Sequence, residues 1–318
     1  MRHQTPLAVA AGLFLTWAAP ALPSTLMDTV SQPRIVINDD AGGEAARALG
    51  APFHSVVELR FYSNASFTGG FGLCTGSLIS ATTILTAQHC GQTVAASQVQ
   101  VRFTEGDGTL QFARTVSSID RMSGYSSLLG GADIAVLTMG EAVVDRAPMR
   151  VVTDLFLNEL VRMVGYGSNG VGSKGHLNTR DGARWAADNI ITAGYVASAA
   201  SGENLIYESV FLPPSDPDSL EFEGTTAPGD SGGPLLVNRE GEWVIAGVLS
   251  GGTTDTSQYG DISYWTGVHS DEAQAMVRNG GGTFWEPAPL AVIPLPASGL
   301  LLLGALGLGG LLCRRRAA

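Results

Sequence analysis

Along most of this chain, short runs of β-branched and aromatic residues recur, each closed off by Gly, Ser, Asp or Asn. Residues 99–103, 133–139, 161–166, 235–237 and 243–249 have this form, and runs so short and so bounded read as strands rather than helices. Few amphipathic stretches of helical length compete with them. The 41 glycines and the low charged fraction of 15% supply turns between the runs. A chain of many short strands with turn signals between them folds as an all-β sandwich or barrel. Its 318 residues suffice for one sizeable core or two modest ones. The pattern alone does not choose between these architectures, and no internal repeat assists.

Three local motifs narrow the choice. Gly229-Asp230-Ser231-Gly232-Gly233-Pro234 sets a serine in a Gly-rich turn that leaves its Oγ and nearby backbone N–H groups exposed. Acyl transfer needs that arrangement, a nucleophile beside donors aimed at a developing oxyanion. A serine hydroxyl is a poor nucleophile until a base takes its proton, and Leu85-Thr86-Ala87-Gln88-His89-Cys90 offers His89. Ala132-Asp133-Ile134-Ala135-Val136-Leu137 opens an apolar strand with Asp133, a buried carboxylate in search of a partner. Taken singly, His89 reads as a core histidine, Asp133 as a strand-edge cap and Ser231 as a turn residue.

In the order His89, Asp133, Ser231 and in these contexts, the chain resembles the trypsin/chymotrypsin-like serine peptidases over roughly residues 50–280. The family's Ala-Ala-His-Cys stands here as Ala87-Gln88-His89-Cys90, and its Gly-Asp-Ser-Gly-Gly-Pro is present in full. The resemblance implies two six-stranded antiparallel barrels, about residues 50–150 and 160–270, with the active site between them and a short C-terminal helix. It implies His89 as general base, Asp133 as the carboxylate behind it, and the N–H groups of Gly229 and Ser231 as the oxyanion hole. It implies further a Cys74–Cys90 disulfide, the histidine-loop bridge, which an oxidising compartment would favour. Ser270-Asp271-Glu272 followed by residues 273–278 and Gly280 reads as a capped helix and matches the family's C-terminal one. No cofactor and no metal are expected. His54, His176 and His269 lack partners at metal-ligand spacing, and Asp216, Asp218, Glu221 and Glu223 read as a solvated acidic loop rather than a calcium loop.

The ends differ in character. Met1-Arg2-His3, an apolar stretch and Ala19-Pro20-Ala21 have the layout of a secretory signal peptide over residues 1–21. Residues 22–49 then form a leader or pro-segment, and residues 281–290 a linker. Residues 291–318 carry Pro294-Leu295-Pro296-Ala297, a Gly/Leu-rich stretch expected as a separate tail helix, and Arg314-Arg315-Arg316. This tail resembles the VPLPA-type PEP-CTERM sorting signals of bacteria, which implies an exosortase-type processing partner. The alternative is a plain single-span membrane anchor with its arginines in the cytoplasm. Either places the catalytic part in the periplasm, the cell envelope or outside the cell. The net charge of −11 argues against nucleic acid or anionic lipid as a ligand.

Substrate preference and activation rest on the resemblance. Where relatives with a basic preference carry a carboxylate, six residues before the serine, this chain has Thr225, so no Arg or Lys preference is expected. Ser250-Gly251-Gly252 aligns with the pocket wall, with Gly251 in place of a tryptophan, and Gly260 stands as the other wall glycine. Hydroxyls in such a pocket fit neutral side chains or, as in glutamyl-specific peptidases of this fold, acidic ones. Arg34-Ile35-Val36 resembles the zymogen cleavage point, with Ile35 freed to pair with Asp230, although Ile37-Asn38 replace the usual glycines. The function expected is an exported serine endopeptidase acting on protein or peptide. A catalytically inactive envelope binding protein on the same fold, or an esterase using the same nucleophile, stands as the alternative.

Overall fold

A computed structural model describes residues 35–177 and 179–287. The signal peptide, Arg34, the end of the linker and the apolar tail helix lie outside the described residues. Among those residues no helix is long and apolar enough to cross a membrane.

The first barrel is built from β2 (Val56–Tyr62), β3 (Phe71–Ser80), β4 (Thr83–Thr86), β5 (Val99–Thr104), β6 (Leu110–Arg121) and β7 (Ala135–Met139). They close in the order β2-β3-β4-β7-β6-β5, so no strand edge is left unpaired. The second barrel contains β8 (Leu160–Gly165), β11 (Trp185–Ala199), β12 (Gly202–Val210), β14 (Pro234–Arg239), β15 (Glu242–Gly252) and β16 (Ile262–Gly267), closed as β11-β12-β16-β15-β14-β8. The expected pair of six-stranded antiparallel barrels is thus present. So is the C-terminal helix, α2 (Asp271–Asn279), whose cap Ser270 accepts a hydrogen bond from Ala273 N at 3.2 Å.

Each barrel fills its interior with alternating apolar side chains. Val57, Leu59, Val101 and Phe103 meet in the first, and Val161, Met163, Trp185 and Trp265 in the second. A further apolar cluster joins the two: Val56, Leu85, Ile134 and Val136 pack with Val164, Leu236, Ile245 and Val248. Buried Arg184 adds polar ties across this junction. It donates to Thr104 O (2.9 Å), to Tyr166 Oη (3.0 Å) and to Ala51 O (3.1 Å).

Residues 35–49, read from the sequence as leader or pro-segment, are part of this folded body. β1 (Ile35–Ile37) is fully buried in a small sheet of order β10-β9-β1-β13, with β9 (Asn169–Val171), β10 (Gly175–Leu177) and β13 (Gly224–Thr225). It runs parallel to β9 and antiparallel to β13. The helix α1 (Gly43–Gly50) packs on β11, with Ala46 buried and Arg47 lying 5.3 Å over the ring of Trp185. One residue of the acidic loop departs from its reading too. Glu223 is buried rather than solvated, its carboxylate accepting from Leu212 N and Leu220 N.

Candidate active site

Strand register brings the first two candidate residues together. β4 pairs with β7 in antiparallel register with Thr86 opposite Ala135. The residues that follow Thr86 therefore lie beside those that precede Ala135. After β4 the chain enters a 3₁₀ turn, Gln88–Gly91, which presents His89 to Asp133. Asp133 is wholly buried, and both of its oxygens are engaged by one residue. Oδ1 accepts from His89 N at 2.9 Å, and Oδ2 lies 2.8 Å from His89 Nδ1. A carboxylate held in this way fixes the ring and keeps the proton on Nδ1, leaving Nε2 as the acceptor. The expected Cys74–Cys90 disulfide is formed and ties this turn to β3 across 16 residues.

The serine turn lies between β13 and β14 and is pinned to the first barrel. Thr75 N donates to Ser231 O at 2.8 Å, Thr75 Oγ1 donates to Gly229 O at 3.1 Å, and Thr86 Oγ1 donates to Thr75 O at 2.8 Å. Gly232 permits this closeness. Its φ is +76°, and a β-carbon there would stand 2.0 Å from Thr86 Oγ1 and 2.7 Å from Ala87 N. The backbone N–H groups of Gly229 and Ser231 have no acceptor among the described residues, so both are available to a ligand oxygen. Behind them, buried Asp230 accepts from Gly167 N at 2.7 Å and from Ala227 N at 2.9 Å.

Ser231 and His89 line one cavity of about 480 Å³. No direct hydrogen bond joins Ser231 Oγ to the ring, a bond that often tightens only once substrate is bound. Ser250, Gly251 and Gly252 line the same cavity. A family model described as Trypsin matches residues 54–271, more than half of the chain. The chain belongs to the trypsin family.

Among curated proteins, this trypsin-family chain is 28% identical over 211 residues to Trypsin alpha of Drosophila melanogaster, covering 63% of the chain and 73% of that relative. It is 28% identical over 210 residues to Trypsin delta of the same organism, with 63% and 74% covered. Trypsin alpha of Drosophila erecta is 27% identical over 211 residues, with 63% and 73% covered.

Two of the residues expected at the substrate pocket do not line this cavity. Thr225 is buried and is not among the residues lining the cavity, whereas its neighbour Thr226 is. Gly260, at φ +89°, has no atom within 4 Å of where a β-carbon would stand and does not line the cavity. The next residue, Asp261, does, and it is 1% exposed. Asp261 is the residue that sequence reasoning missed. Its signal is the acid at the head of the Asp-Ile-Ser-Tyr strand run, one position beyond Gly260. His176, set aside as having no metal partners, also lines this cavity, its N–H donating to Thr256 O at 2.8 Å.

Proposed function

We propose that this chain is an exported serine endopeptidase in which Ser231, His89 and Asp133 form the catalytic triad. The observation that carries the reading is the doubly hydrogen-bonded Asp133–His89 pair, sharing a cavity with Ser231. In the proposed reaction Ser231 Oγ attacks the carbonyl carbon of a peptide bond while His89 Nε2 takes its proton. Asp133 stabilises the imidazolium that results, and the N–H groups of Gly229 and Ser231 receive the oxyanion. His89 then passes the proton to the leaving amine, whose bond to the carbonyl breaks and leaves an acyl group on Ser231. Water, deprotonated by the same ring, releases the acid and restores the enzyme.

A fluorophosphonate probe tests this reading. Stoichiometric labelling of the folded protein, abolished in Ser231→Ala, is the expected result. A folded protein that takes no label would leave only a binding role on this scaffold. Peptide and ester substrates compared on the labelled-competent protein separate a peptidase from an esterase.

Activation and delivery complete the proposal. Cleavage after Arg34 would free the ammonium of Ile35, at the head of the buried strand β1, to pair with Asp230 beside the oxyanion N–H groups. The signal peptide would export the chain, and the tail would pass to an exosortase-type peptidase or hold the protein at the membrane. N-terminal sequencing and the mass of the mature chain test these steps, with Ile35 expected at the new N-terminus.

A further inference from the structure

From Pro228 to Ser231 the serine turn is a run of three peptide planes, and the oxygen of each is tied down. Ser168 N donates to Pro228 O at 2.8 Å, and Gly233 N donates to Asp230 O at 2.8 Å. In a trans peptide the N–H points opposite to the C=O, so these two ties also fix the directions of the Gly229 and Ser231 N–H groups. The plane between them, Gly229–Asp230, sets the angle from one N–H to the other. Its own N–H donates to Ala227 O at 3.0 Å. Its oxygen is held by a side chain. Thr75 Oγ1 donates to Gly229 O at 3.1 Å, and no other group among the described residues donates to that oxygen.

A second bond sets the direction of this one. Tyr166 N donates to Thr75 Oγ1 at 3.1 Å, and a hydroxyl that accepts an N–H keeps its single proton for another acceptor. Thr75 and Gly229 are both buried, so a Gly229 O left without its donor would carry the cost of an unpaired buried carbonyl. The φ of Gly229 is +106°, and glycine passes readily between conformations closed to other residues. Local sterics therefore constrain the middle plane least, which leaves its direction to the hydroxyl. Thr75 N meanwhile donates to Ser231 O at 2.8 Å. Through this one residue, β3 of the first barrel grips the turn at two carbonyls, on either side of Asp230.

We infer that the Thr75 hydroxyl is a positioning residue for the oxyanion hole: by holding Gly229 O it keeps the N–H groups of Gly229 and Ser231 converged on one point. It acts through the turn and not on the substrate. This rests on the serine-peptidase reading and adds to it a residue outside the triad and outside the serine motif. Donor geometry counts most where charge develops on the attacked carbonyl oxygen, and far less in the bound ground state. Loss of the hydroxyl should therefore lower kcat and spare KM.

Two substitutions separate the hydroxyl from the shape around it. Thr75→Val removes the hydroxyl and keeps the branched side chain, whereas Thr75→Ser keeps the hydroxyl and removes the methyl group. Both are assayed on whichever peptide anilide of a panel the wild type cleaves fastest. Rates are expressed per site that takes the fluorophosphonate label at completion, so a misfolded fraction drops out. Losing a whole oxyanion donor costs about 100- to 1,000-fold, and a misaimed pair should cost less, about 20-fold in kcat for Thr75→Val with KM within about twofold. Thr75→Ser should stay within about threefold of wild type, because the donor to Gly229 O is kept. A peptide boronate of the same sequence, whose tetrahedral adduct sets an oxygen at the oxyanion position, should bind Thr75→Val more weakly by the factor that kcat loses. Thr75→Ala removes the same donor and carries the same expectation if Thr75→Val does not fold. Wild-type kcat in the hydroxyl-free variants, equal losses in Thr75→Ser and Thr75→Val, or a loss confined to KM with boronate affinity unchanged overturns the proposal. Any of these in a protein that takes the label refutes this inference alone. A wild type that takes no label refutes the chemistry beneath it.

Discussion

Replacing Gly232 by alanine isolates the contact between the two halves of the proposed triad. The added β-carbon would stand 2.0 Å from Thr86 Oγ1, 2.7 Å from Ala87 N and 2.7 Å from Thr75 O. Two of these are backbone atoms and cannot rotate away. Ordinary contact begins near 3.4 Å, so the serine turn must withdraw from the segment leading to His89 by about 1 Å. A displacement of that size costs on the order of 100-fold in a reaction that depends on near-attack geometry. Left-handed backbone at alanine adds about 1–2 kcal/mol of strain. Gly241→Ala separates the two effects: its φ is +91°, and nothing lies within 4 Å of its β-carbon position. Both variants should melt at a lower temperature, but only Gly232→Ala should slow fluorophosphonate labelling and kcat/KM about 100-fold at a temperature where each is folded. If Gly232→Ala, shown folded by circular dichroism, labels within threefold of wild type, the close approach of the two segments is not what positions the nucleophile.

Asp133→Asn should lower kcat about 10⁴-fold with the fold retained, because His89 N requires an oxygen at the Oδ1 position. The asparagine amide then faces Nδ1 and forces the ring proton onto Nε2, and a pH–rate profile together with the melting temperature checks this. Removing the Cys74–Cys90 bridge by serine substitution should cost about 3 kcal/mol in chemical denaturation for a loop of 16 residues. Burial pushes the Glu223 carboxyl up from 4.5 to about 7, so the folded state holds a proton that the unfolded state releases. Stability should therefore fall as pH rises from about 4.5 through 7, by up to about 3 kcal/mol, and Glu223→Gln should flatten that slope in melts between pH 5 and pH 8.

The fold was legible where a strand carries its own pattern and illegible where distant partners define it. The runs at 99–103, 161–166 and 243–249 became β5, β8 and β15, since β-branched side chains pack well on a pleated half-buried surface whatever the partner. β11 escaped notice. Its Trp185-Ala186-Ala187-Asp188 start has little β character and becomes a strand because it pairs with β8 and β12. β1 is three residues long and exists only between β9 and β13, which lie more than a hundred residues onward. α1 has eight residues between glycines and no side-chain cap. Alone it would be marginal, and burial against Trp185 is what makes it a helix.

The site divides along the same physical line. A nucleophile turn is a backbone device: glycines at Gly229 and Gly232, the aspartate between them and the proline that follows must sit in one short stretch, so they are written as a motif. The histidine turn has its own neighbours, and strand register then delivers Asp133 without further instruction. Selectivity obeys no such local rule. A polar group deep in a cavity can enter from any wall, and here Asp261 does so from just before β16, 36 residues after Thr225. What placed it was the meeting of two segments across the second barrel, with Gly252 clearing the space between them. The chemistry proposed for such a chain can therefore be argued from adjacent residues, while the lining of the cavity beside Ser231 is set by contacts that exist only after folding.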